Sequence, residues 1–167
     1  MILAFDTYYF QQKAKTVCLE FADWNESKIY KIYTETIDNI EDYVPGEFYK
    51  RELPCIISLL NQIDLKKVEA IIVDGFVYLD DEKKFGLGGY LYGKLNKEIP
   101  IIGVAKTNFS TIEKYKKPLF RGESKKPLFI TSIGIELEDA VKKIENMEGE
   151  YRIPTLLKEL DRLTKEK

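Results

Sequence analysis

Apolar and polar positions alternate in short blocks along the chain. "MILAFDTYYF" is an apolar strand pattern that reaches Asp6. "AKTVCLEFAD" and "KIYKIYTETI" are β-branched and aromatic, and the polar "WNESK" between them signals a hairpin. These segments predict three consecutive strands, paired antiparallel. "GEFYKRELPCIISLLNQI" reads as a helix, with Pro54 as a kink or a late first-turn residue. "VEAIIVDG" is a continuous apolar run ending in Asp74-Gly75, the pattern of a buried strand with an acid at its C-terminal end. "FGLGGYLYGKL" predicts a helix with a glycine-rich start, and "IPIIGVAK" a further buried strand. A basic loop or hairpin follows. "PLFITSIG" then reads as a strand, and "ELEDAVKKIENME" and "PTLLKELDRLTKEK" as helices. No internal repeat, low-complexity tract or linker interrupts this order.

The predicted order is βββ-α-β-α-β-(β)β-α-α. Three antiparallel strands followed by parallel strands with crossover helices give a mixed α/β sheet with helices on its faces. Ribonuclease H-like folds have this order. Residues 1–167 are expected to form one domain, since a chain of this length supports a substantial core. Ligands of open α/β sheets gather beyond the carboxyl ends of the strands. Asp6 and Asp74 both fall near such ends, on different strands.

Composition adds exclusions. Apolar and charged fractions are those of a soluble globular protein. No apolar stretch approaches the roughly 20 residues of a membrane span. The N-terminus lacks the charged region and cleavage site of a secretion signal, so a cytoplasmic protein, monomeric and without a membrane partner, is expected. Cys18 and Cys55 both lie in apolar runs, which favours buried thiols over a disulfide or a zinc site. The net charge of −2 argues against a protein held on nucleic acid by bulk charge alone, though not against a local basic face. One basic stretch stands out, "KYKKPLFRGESKKP" at 114–127. Its ordinary reading is a solvated hairpin; its functional one is phosphate contact through Lys116, Lys117 and Arg121. The chain has no histidine, which excludes every mechanism that needs an imidazole base or ligand.

The chemistry must then come from carboxylates, lysine, tyrosine or a metal. Asp6, Glu52 and Asp74 form the candidate set. Each also has an ordinary use: Asp6 as a turn cap, Glu52 as a surface partner of Lys50 or Arg51, Asp74 as the start of an Asp-Gly turn. Together, on the first strand, first helix and fourth strand, they suit convergence on a hard cation. Mg²⁺ takes carboxylate oxygens and keeps several waters, and Mn²⁺ can substitute.

The stretch "YVPGEFYKRELP" at 43–54 holds Glu52 behind a Pro-Gly turn and an aromatic, a Y-x-P-G-x-x-x-x-R-E pattern. With "AFDTYY", "IIVDG", "KKFGLGGYL", "IIGVAK", "PLFITSIG" and "YRIP" in the same order, it makes the chain resemble the endonuclease V family of deoxyinosine-directed nucleases over nearly its whole length. The resemblance implies that Asp6, Glu52 and Asp74 are the metal-site acids. It implies that Tyr43, with Pro45 in the turn behind it, is a wedge entering the duplex beside the lesion. Gly46, Phe48, Gly75 and Leu87 match positions around the extruded base, and Lys106 matches a lysine suited to a phosphate oxygen near the scissile bond. The implied activity is Mg²⁺-dependent hydrolysis of a phosphodiester near deoxyinosine in DNA, in nucleic-acid repair, with inosine in RNA as a further substrate.

The chain also departs from the family pattern. "DGFVYLDDEKKFG" has Asp80 and Asp81 where the family has a histidine, and Lys83-Lys84 where it has an arginine pair. "SIG" runs directly into "IELEDA" without the family's second histidine, and no helix precedes the first strand. These departures keep open an alternative: a degenerate endonuclease V-like nucleic-acid-binding protein with little or no cleavage.

Overall fold

The structure, a computed structural model, describes residues 1–40 and 47–166. Its strands are β1 (Ile2–Phe10), β2 (Lys13–Phe21), β3 (Lys31–Ile37), β4 (Ala70–Asp74), β5 (Ile101–Ala105), β6 (Lys117–Leu119) and β7 (Leu128–Ile133). Its helices are α1 (Phe48–Leu60), α2 (Leu87–Lys94), α3 (Leu137–Glu145) and α4 (Thr155–Lys165). The seven strands form one sheet in the order β3-β2-β1-β4-β5-β7-β6. This is the ribonuclease H-like mixed sheet that the sequence predicts. Among the described residues no helix is long and apolar enough to cross a membrane.

The first strand outruns its apolar block. It pairs antiparallel with β2 as far as Phe10↔Lys13, around a tight turn whose Gln11 and Gln12 take φ of 48° and 64°. Its parallel pairing with β4 runs only from Ile2↔Ala70 to Phe5↔Val73. Asp6 therefore lies mid-strand in the hairpin, yet just past the end of the parallel ladder. β4 continues this arrangement, pairing parallel with β5 up to Asp74↔Val104. One expectation needs correction: β7 returns antiparallel to β5, so only β1, β4 and β5 run parallel. The basic excursion between β5 and β7, with its short strand β6, brings the chain back to the same sheet edge without a crossover helix.

Period-2 alternation divides the core between the two sheet faces. Ile2, Ala4, Ala70 and Ile72 pack with Ala140, Ile144, Leu156 and Leu160 of α3 and α4. Leu3, Phe5, Ile71 and Val73 pack with Leu53, Ile56, Leu59 and Leu91 of α1 and α2. Pro54 sits inside α1 without ending it. Its ring lies on the exposed side of the helix. Cys18 and Cys55 are buried free thiols, as their apolar surroundings predict.

Candidate functional site

The strand ends place two acids side by side. By alternation Asp6 and Asp74 follow Ala4 and Ile72 onto the α4 face. There they line a cavity of about 30 Å³ with Lys106, Ile153, Pro154, Leu157 and Leu160. The Thr7 backbone N–H donates to Asp6 Oδ1 at 2.9 Å. Glu52 comes from the other layer. It sits in the second turn of α1, beside Leu53 and Ile56 of the opposite core face, and is only 2% exposed. So a strand, a strand and a helix from both faces meet at one end of the sheet.

The electrostatics show that these acids feel one another. Burial, then the Asp74 charge, push the Asp6 carboxyl up to about 7, against an opposing pull from Lys106. Burial raises Asp74 as well, with Lys106 again opposing. Glu52 is raised well above the carboxylate range by burial, then by Asp74 and Asp6. Buried like charges disfavour ionisation unless a cation compensates them. The donor set therefore has the chemistry of a divalent-cation site: hard oxygens, concentrated negative charge and little solvent. Among the described residues, however, no three His, Cys, Asp or Glu side chains are already arranged to hold a metal ion. Asp6 and Asp74 would supply the first oxygens to such an ion, and Glu52 is the third acid within electrostatic reach.

Lys106 directly follows β5. Its ammonium lies 3.9 Å from Asp161 Oδ1 of α4, and Lys165 Nζ lies 3.1 Å from the other Asp161 oxygen. Asp161 also raises both Asp6 and Asp74. It is a fourth acid at this end of the sheet, and sequence reasoning missed it. A charged residue on an amphipathic terminal helix reads as solvent face; only its place one turn after Leu157, on the stripe facing the cavity, gives it away.

On the opposite side of Asp74 and Lys106 opens a cleft of about 660 Å³, whose lining includes Gly75, Phe76, Leu87 and Phe109. The structure thus brings Gly75 and Leu87 together with Asp74 and Lys106. Gly75 takes φ of 139°, a conformation other residues rarely adopt. Gly103, mid-strand in "IIGVAK", explains how the connection comes so close. A Cβ there would stand 2.5 Å from the Gly75 carbonyl oxygen and 2.6 Å from Thr131 Oγ1, which accepts the Val77 N–H at 2.9 Å. An isolated glycine in a strand is the signal that predicts such an approach. Tyr43, Pro45 and Gly46 lie outside the described residues, as does the side chain of Phe48.

The acids at the histidine positions are committed to the loop itself. Asp81 accepts the backbone N–H groups of Glu113 and Lys114, both at 2.8 Å, and these bonds hold its carboxyl below the usual range. Asp80 accepts those of Glu82 and Lys84 at 3.0 and 2.9 Å. The basic stretch divides. Lys116 donates to Asn108 Oδ1 at 2.6 Å beside the cleft, and Lys117 lies 3.7 Å from Glu138. Arg121 contradicts the expectation of phosphate contact. It is 6% exposed and donates to the carbonyls of Met147, Gly149, Tyr151 and Arg152. A guanidinium surrounded by four carbonyl oxygens is a structural tie, since its donors are already taken.

Residues 1–134 match the sequence profile of the family described as Endonuclease V. The chain belongs to the endonuclease V family. A Schizosaccharomyces pombe protein named as a candidate endonuclease, C1F12.06c, is 34% identical over 116 residues, 63% of this chain and 45% of that protein. The match therefore spans less than half of that relative's length. Solved endonuclease V structures share the fold across 98% of the chain, including the part beyond residue 134. The Ciona intestinalis enzyme, in complex with a 24mer DNA containing an inosine followed by a ribo-adenosine, superposes with a TM-score of 0.81 at 18% identity over 84% of its own chain. Human ENDOV gives 0.73 at 21% identity over 82%. At such identities the likeness establishes the fold of this endonuclease V family member.

Proposed function

We propose that this chain is a divalent-cation-dependent endonuclease that hydrolyses a phosphodiester near deoxyinosine in DNA, with inosine in RNA as the second substrate to be tried. One observation carries the reading: in an endonuclease V fold, Asp6, Asp74 and Glu52 meet at one end of the sheet, with Lys106 between the acid pair and the cleft lined by Gly75 and Leu87. Asp6, Asp74 and Glu52 would hold Mg²⁺ or Mn²⁺, with Asp161 behind Lys106. Such a cation supplies the positive charge that activates water and stabilises a departing oxygen. Lys106 steadies the charge of the scissile phosphate. The cleft receives the extruded base, and Gly75 lets backbone groups approach its edge without a side chain intervening. Water adds to phosphorus, the bond from phosphorus to the 3′ oxygen breaks, and a proton goes to that oxygen, leaving a 3′-hydroxyl and a 5′-phosphate.

A second reading, a nucleic-acid-binding protein without cleavage, draws on one observation. Asp80 and Asp81, at the family's histidine region, are spent on loop N–H groups. Matched inosine and adenosine oligonucleotides, in DNA and RNA, incubated with Mg²⁺, Mn²⁺ or EDTA, decide between them. Cation-dependent cutting of the inosine strands alone is expected. Selective binding without cutting in either metal would establish the second reading.

A further inference from the structure

Lys106 is held at both ends. Its ammonium meets Asp161 at 3.9 Å. Its backbone carbonyl accepts from Arg152 Nη2 at 2.5 Å, and the same nitrogen donates to the Pro127 carbonyl at 2.9 Å. One guanidinium nitrogen thus spends both hydrogens tying the residue after β5 to the residue before β7. Arg152 is fixed in turn, because Arg121 Nη1 contacts its carbonyl at 3.4 Å and that of Tyr151 at 2.8 Å. Two residues on, Pro154 forms the N-cap of α4, the helix that carries Asp161. Ile153 and Pro154 line the small cavity beside Asp6, Asp74 and Lys106.

We propose that Arg152 is a positioning residue for Lys106. It fixes the lysine backbone through its carbonyl and the origin of α4 through its own place in the chain, so that Lys106 and Asp161 arrive in register beside the acid pair. The inference rests on the nuclease reading above for its effect on rate, but not for its effect on Lys106 itself. Lysine cannot reproduce the device fully, because an ammonium on a flexible stem lacks the rigid planar fork of Arg. Misplacement of a phosphate-binding group by about 1 Å can cost around a hundred-fold in rate.

The test compares Arg152→Met and Arg152→Lys with the wild-type chain by two measurements. The first is lysine acylation of the nucleic-acid-free protein, followed residue by residue by mass spectrometry. The Lys106 side chain is 40% exposed, so it reacts measurably while partly shielded. Arg152→Met should raise Lys106 acylation several-fold and leave Lys31 and Lys117, which touch neither Arg152 nor α4, unchanged; Arg152→Lys should fall between. The second measurement separates single-turnover cleavage from binding of the uncut inosine strand in EDTA. Cleavage should fall by about ten- to a hundred-fold, with binding unchanged within about two-fold. Unchanged Lys106 acylation in a folded Arg152→Met or Arg152→Lys variant overturns the proposal, whatever the nuclease assay gives. So does a general rise across all lysines, or failure of both variants to fold, since either makes Arg152 a purely structural tie. A wild-type chain that cuts no inosine strand overturns the nuclease reading instead, leaving the acylation result to stand by itself.

Discussion

At the scale of single residues, burial decides which charges can do chemistry and which hold the chain together. Asp6 and Glu52 are almost without solvent, and their carboxyls are raised first by that burial and then by the neighbouring acids. Replacing Asp6 or Asp74 by Asn keeps the shape and removes one negative charge from the set. Changes in groups that only support metal ligands cost about 10–100-fold, so loss of a ligand should cost more. Asp74→Asn and Asp6→Asn are therefore expected to lower cleavage by more than about 100-fold with the fold intact by circular dichroism. Near-normal cleavage by either variant would remove these acids from the metal site. Arg121 is the opposite case. Its truncation strips four buried or half-buried carbonyls of their donor. Arg121→Ala should lower stability by about 3 kcal/mol in denaturant unfolding, since an unsatisfied buried group costs about 1–3 kcal/mol. With Arg121 committed, any phosphate contact by this stretch would fall to its exposed lysines: neutralising Lys114 and Lys117 should then flatten the salt dependence of binding, and an unchanged slope would make this stretch a solvated loop only.

At the scale of elements, most of the site was legible because strand ends and motifs coincide. The apolar blocks give β1, β4 and β5, and the acids that close two of them are the acids that meet. The tight Gln11-Gln12 turn carries no sequence signal, because neither residue is a usual left-handed former, so the apolar block marks β1 only as far as Asp6 and not to Phe10. The antiparallel return of β7 was not legible either, since strand direction depends on where the excursion lands and not on the strand's own pattern. Asp161 was hidden for a related reason: it reaches the acids through α4 packing over β1, a contact with no local sequence mark. Ahead of α1, the Tyr43 turn carries its own expectation. A base leaving a duplex opens a gap in the stack, and an aromatic filling it recovers about 1–3 kcal/mol. Single strands have little stacking to replace. Tyr43→Ala should thus reduce cleavage of inosine duplex by roughly ten-fold, at about 1.4 kcal/mol per decade, and of single strands by less. Equal loss on both substrates would assign Tyr43 to the base cleft or the core instead of a wedge.

At the scale of the whole molecule, a fold that gathers acids at one end of its sheet must carry their repulsion. The folded-state value of Asp6 is raised from 3.8 to about 7, and Asp74 and Glu52 are raised with it. Between those values the native state binds more protons than the unfolded chain, so stability falls as pH rises. The contribution is fully present below about pH 4 and lost as pH climbs through about 7. The acids held below their usual range, Asp81 and Glu159, act in the other direction but only below about pH 4, outside this window. A shift of three units in one group is worth at most about 4 kcal/mol. Sharing among coupled acids and partial screening by Lys106 reduce this to on the order of 2 kcal/mol. For a chain of this size that is about 5 °C in Tm. In EDTA the protein should therefore melt higher at pH 5.5 than at pH 8, the reverse of ordinary acid sensitivity. Asp6→Asn should flatten that slope. Millimolar Mg²⁺ or Mn²⁺ should raise Tm most at pH 8, where the acids are ionised and the cation meets least competition from protons. A metal-free protein whose Tm only falls on acidification from pH 8, with no response to either cation, would mean that the acids do not share one charged site.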